Sequence, residues 1–96
     1  MVFIKDAVHR DLERIREGLL TWKIILTEEH VNAIVKDIEK ACYSLEYRIA
    51  HSRATERAHL IYGAKIYRFK RPTSKTIRNI IYDIDRYGNI FVNKIM

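Results

Sequence analysis

The apolar residues of this chain keep two different periods, and the change between them near Leu60 limits what it can fold into. Val8, Leu12, Ile15 and Leu19 recur at helical spacing, as do Val31, Ile34, Val35, Ile38 and Ala41. From Leu60 the period falls to two. Ile66-Tyr67-Arg68-Phe69-Lys70 alternates, residues 77–84 are rich in β-branched side chains, and residues 90–95 read as the final strand. Residues 72–75 and Tyr87-Gly88-Asn89 supply the turns between them. Helices first and strands afterwards predict an α+β fold, in which helices cover one face of a small antiparallel sheet.

The element limits follow from local signals. A short extended start precedes a helix that opens at Asp6, with Gly18 marking its exit. Residues 22–26 read as a strand with Trp22 anchoring the core. Thr27, followed by Glu28 and Glu29, is a helix start, and that helix runs to Cys42. Leu45, Ile49 and Ala54 predict a second, exposed helix over 43–59 with a basic flank. At 96 residues the chain is expected to form a single domain, 1–96, with residues 1–20 as a helical arm and 22–96 as the main body.

If the turn falls at 72–75, Phe69 opposes Arg78 and Tyr67 opposes Ile80. One sheet face then carries Tyr67, Phe69, Ile80, Tyr82 and Ile84 and lies under the helices. The other carries Ile66, Arg68, Lys70, Asn79, Ile81 and Asp83 and is open. A shifted pairing would set Lys70 beside Arg78, which like-charge repulsion disfavours.

Charge is unevenly spread. Residues 1–47 have a net charge of −2 and residues 48–96 a net charge of +8, out of +6 overall. No carboxylate lies between Ala58 and Tyr82, where Lys65, Arg68, Lys70, Arg71, Lys75 and Arg78 fall. Cations crowded without counter-charges favour a polyanionic partner, above all a phosphate backbone; an acidic protein is the alternative, and a face that serves only solubility is the third reading. The candidate nucleic-acid-binding residues are those six together with Asn79.

Other classes fall away. Gly18, Gly63 and Gly88 are too dispersed for a phosphate-cradling loop. The single cysteine, Cys42, excludes an internal disulfide and a cysteine metal cluster, and is expected to pack as a small apolar residue. His9, His30, His51 and His59 lack metal spacing and read as surface or packing histidines, the alternative being that one acts as an acid or base. Asp83 and Asp85 read as hairpin acids rather than metal ligands. Tyr62, Tyr67 and Phe69, interleaved with Lys65, Arg68 and Lys70, read as half-buried sheet residues, with base stacking as the alternative. No cofactor, metal or membrane association is expected, and the start of the chain points to a cytoplasmic protein.

The order of elements, with Leu-Thr-Glu-Glu after the Trp22 strand, a helical hairpin, Lys65-Ile-Tyr-Arg-Phe-Lys-Arg, Ile80-Ile-Tyr82-Asp-Ile-Asp85 and a final Ile90-Phe-Val, resembles the RelE/ParE superfamily of toxins from toxin–antitoxin modules. The resemblance covers residues 22–96. It implies a protein that acts on RNA or the translation machinery through a basic sheet face, with an acidic antitoxin as its protein partner and RNA or the ribosome as its target. In the ribonuclease branch a ribose 2′-hydroxyl attacks the adjacent phosphate, so the resemblance marks Arg68 and Lys70 as catalytic candidates for a ribosome-dependent mRNA endonuclease. The branch's Tyr-Arg-x-x-Tyr stands here as Arg78-Asn79-Ile80-Ile81-Tyr82, which puts Asn79 in the place of the phosphate-binding arginine, and Lys94 is the one candidate near the chain's last strand. The alternatives are a non-catalytic poison of the gyrase-binding type and a small basic nucleic-acid-binding protein, homodimeric through the 1–20 arm.

Overall fold

The computed structural model describes residues 1–22, 26–72 and 74–96, without the side chain of Trp22. The fold is α+β. Two helices pack on one face of a five-stranded sheet of order β1-β5-β4-β3-β2.

The extended start becomes β1 (Val2–Ile4) and joins β5 (Ile90–Ile95) in parallel, Val2 beside Ile90 and Ile4 beside Val92. The sheet is therefore mixed and not purely antiparallel. Parallel pairing is possible because α1 (Asp6–Trp22) and everything after it lie between the two strands and provide the crossover. Val8 and Leu12 of α1 are buried in the same core as Ile80, Tyr82 and Val92, so the N-terminal helix belongs to the body of the protein rather than forming an arm. The helix continues four residues past Gly18. That glycine stands in open space, and one exposed glycine weakens a helix by about 1 kcal/mol without ending it.

α2 (Glu28–Tyr43) starts as expected. The Thr27 hydroxyl accepts from the His30 N–H at 3.1 Å, with Glu28 and Glu29 in the first turn and Lys40 in the last. Val31, Ile38, Ala41 and Cys42 are its buried face, and burial of each large aliphatic side chain contributes about 1.5–3 kcal/mol. The strand expected over 22–26 lies for the most part outside the described residues, and Trp22 itself closes α1.

No second helix forms over 43–59. The chain makes three separate 3₁₀ turns (Leu45–Tyr47, Ile49–His51 and Arg57–His59) and a two-residue strand, β2 (Arg53–Ala54). Only Leu45 is buried there among the apolar candidates; Ile49 is 40% exposed and Tyr47 78%. A helix without an apolar stripe has no tertiary packing to hold it. The Ser44 and Ser52 hydroxyls also bond back to the carbonyls of Ala41 and Arg48, which favours local turns.

β3 (Lys65–Lys70) and β4 (Ile77–Ile84) pair in the expected register, with Phe69 opposite Arg78 and Tyr67 opposite Ile80. β4 and β5 are also antiparallel, and Asn93 is an extra, bulged residue between Val92 and Lys94. Their turn is organised by Asp85, whose carboxylate accepts from the N–H groups of Tyr87 and Asn89 and from the Asn89 side chain. The core lies between helices and sheet, with Tyr82 at its centre and its hydroxyl donating to Ser52 Oγ at 2.6 Å. No helix among the described residues is long and apolar enough to cross a membrane.

Candidate nucleic-acid interface

The pleat divides the candidate residues between the two sheet faces. Arg68 stands directly opposite Asn79, with Lys70 two residues along the same strand, on the face away from the helices. Both cations are exposed and neither has a carboxylate within ion-pair distance among the described residues. Lys65 and Arg78 share the opposite face with Tyr67 and Phe69. Arg78 lines a recess against Leu19, Ile34 and Ile38 instead of the open side. Arg71 is engaged: its Nε bonds to Asp37 Oδ2 of α2 at 2.8 Å. Lys75 is exposed in the β3–β4 connection. The sequence thus names seven residues, and the structure brings three of them together: Arg68, Lys70 and Asn79.

Arg53 joins that group. β2 sets Arg53 beside Ile66, in the row next to Arg68, and both arginines line a hollow of about 380 Å³ with Glu56, His59 and Asn79. They also line a second hollow of about 350 Å³ with Arg48 and His51. Glu56 is the one carboxylate lining either. The Oδ1 atom of Asn79 is buried and has no hydrogen-bond partner among the described residues. A buried acceptor without a donor is costly.

The sheet face is partly roofed, contrary to the expectation that it is open throughout. Ile81 is completely buried although it faces away from the helices. Residues 55–64 cross it. The Thr55 N–H donates to the Ala64 carbonyl at 2.9 Å, and the Ala64 N–H to Asp83 Oδ1 at 2.9 Å. Gly63 permits this close approach, since a Cβ there would lie 2.9 Å from the Tyr82 carbonyl oxygen. The same segment walls the Arg53–Arg68 hollow, with His59 half-buried in it.

Lys94 is committed elsewhere. Its Nζ meets Asp11 Oδ1 of α1 at 3.0 Å beneath the Tyr62 ring, and Asp11 Oδ2 accepts from the Ile95 N–H at 3.0 Å. β1 ends at Ile4, so the last residues of β5 have no neighbour strand on that side, and the buried Asp11 supplies the missing acceptor. Cys42 is fully buried and its thiol is pushed up to about 12 by burial, with Glu39 adding to the effect. The described residues contain no cluster of potential metal ligands.

Arg53, Glu56 and His59 are missed by sequence reading, because a two-residue strand leaves no period to detect. The one available signal is negative: residues 46–59 are too polar for a packed helix. No known family model, curated protein or solved structure matches this chain.

Proposed function

We propose that this protein binds single-stranded RNA on the sheet face that carries Arg53, Arg68, Lys70 and Asn79, and that it is a toxin-like protein acting on RNA or the translation machinery. The observation that carries the reading is the unneutralised pair Arg68 and Lys70, with Arg53 in the next row. Arginines offer planar pairs of donors to phosphate oxygens, and Arg53 and Arg68 line one hollow of about 380 Å³.

Binding without cleavage is favoured within this reading. Asn79 stands where the resemblance to the ribonuclease branch would place an arginine, and Lys94 is held by Asp11. An acidic antitoxin remains the protein partner proposed for such a surface. Two experiments bear on the proposal. Expression of the wild-type chain should inhibit growth, and Arg68→Ala with Lys70→Ala should relieve the inhibition. Incubation of message with ribosomes and the protein should leave it uncut; cleavage that depends on Arg68 would replace the binding mechanism with the enzymatic one.

A further inference from the structure

We propose that the outer edge of β3 receives an extended acidic segment of a partner protein as an added strand. The inference stands on backbone geometry and not on the RNA reading. Asn79 exchanges both backbone hydrogen bonds with Met96 of the neighbouring chain end, so Ile80 turns its backbone groups toward β3 and meets Tyr67 there. Alternation then turns the N–H and C=O groups of Ile66, Arg68 and Lys70 away from β4. Thr55 bonding to Ala64 on that outer side agrees with this phase.

Ile66 is paired by Arg53, but β2 ends there. The backbone groups of Arg68 and Lys70 have no strand beyond them among the described residues. A row of unpaired donors and acceptors on a sheet edge is a template for strand addition. A second copy of this chain fits badly, because pairing two such edges sets Arg68 and Lys70 against their equivalents.

The surroundings define the occupant. On one side of the edge are Arg53, Arg68 and Lys70. On the other is a groove of about 360 Å³ between α2 and β3, with Ala41, Tyr67, Phe69 and Pro72 as its apolar lining and Ser44, Lys40 and the Asp37–Arg71 ion pair as its polar lining. Arg48 borders the edge from both sides. Side chains of an added strand alternate between these environments. The segment therefore alternates carboxylates, beside Arg68 and Lys70, with apolar residues that enter the groove. Occupation neutralises both cations, so the partner and RNA compete for the same two side chains.

The test uses a synthetic peptide alternating glutamate and valine, a block-ordered peptide of the same composition, and an alternating peptide N-methylated on every amide, so that no donor faces β3 in either phase. The alternating peptide should bind and slow hydrogen exchange at the Arg68 and Lys70 amides, while the other two bind about tenfold or more weakly. Equal binding by the N-methylated peptide, or binding without protection of those two amides, overturns strand addition. Equal protection of the same amides by single-stranded RNA also overturns it, since charge neutralisation would then suffice. Peptide binding by a protein with no RNA affinity leaves strand addition standing and defeats only the RNA reading.

Discussion

Asp11 is a buried charge with a structural task, and its removal should be costly. In Asp11→Ala the Ile95 N–H loses its acceptor at 3.0 Å on a side of β5 where no strand follows. An unmet buried donor costs about 1–3 kcal/mol. Lys94 also loses its partner at 3.0 Å, but its side chain is 23% exposed and can turn toward water, so this part is about 1 kcal/mol, as for a pair near the surface. A total of about 2–4 kcal/mol is a large share of the 5–15 kcal/mol that holds a typical domain. Urea denaturation should show the loss as a lower midpoint at unchanged slope. Asp11→Asn retains an acceptor for Ile95 and should lose about half as much. A double-mutant cycle of Asp11→Ala with Lys94→Met isolates the ion pair and should give a coupling of about 0.5–2 kcal/mol. A cost below about 0.5 kcal/mol for Asp11→Ala would refute the reasoning, because that is the scale of an uninvolved surface site.

The two glycines give opposite outcomes. Gly63→Ala drives a methyl toward the Tyr82 carbonyl at 2.9 Å from a backbone with φ of +154°, and should destabilise by about 1–3 kcal/mol in the same assay. Gly18→Ala adds a methyl in open space within α1 and should stabilise by up to about 1 kcal/mol. Desolvation opposes the ionisation of Asp85 more than any one contact favours it, but the hydrogen bonds from the Asn89 N–H and side chain and the Tyr87 N–H, with the positive chain start, together outweigh it and hold the carboxyl below the usual aspartate value. Its contribution to stability is thus present above the unfolded-state value and is lost as pH falls through the folded one; Asp85→Ala should flatten the acid limb of a stability–pH profile. Cys42, with its thiol pushed up to about 12, should resist alkylation at neutral pH and react once denaturant unfolds the chain, as a thiol-reactive chromophore would record.

The sheet was legible where two independent signals agreed. Alternation placed Tyr67, Phe69 and Ile80 on one face, and like-charge avoidance chose the register that sets Phe69 opposite Arg78. Thr27 and its following glutamates fixed the start of α2. What was not legible depends on contacts distant in sequence. Nothing in Val-Phe-Ile at residues 2–4 announces a parallel partner at Ile90, because that pairing is made only once α1 has crossed the sheet. Leu45 and Ile49 satisfy a helical spacing, but spacing does not say whether a core is there to receive them. The candidate site shows the same limit. Arg68 and Asn79 share a face by period alone, whereas Arg53 and His59 reach it through the path of residues 53–64. Arg71 and Lys94 read as free cations until Asp37 and Asp11 arrive from the helices.

Arg53, Arg68 and Lys70 are proposed to form one cationic ledge that meets a nucleic-acid backbone. This is tested most directly by the affinity of a labelled single-stranded RNA over a salt series, for the wild type and for Arg68→Ala with Lys70→Ala. Each phosphate contact on a single strand contributes about −0.7 to the slope of log affinity against log salt, so three cations predict a slope near −2 and a loss of roughly 20-fold between 50 and 200 mM salt. The double variant should retain the fold, since both side chains are exposed, and its slope should shrink to about −0.7. A wild-type affinity that ignores salt, or a slope that the double substitution leaves unchanged, would contradict the account.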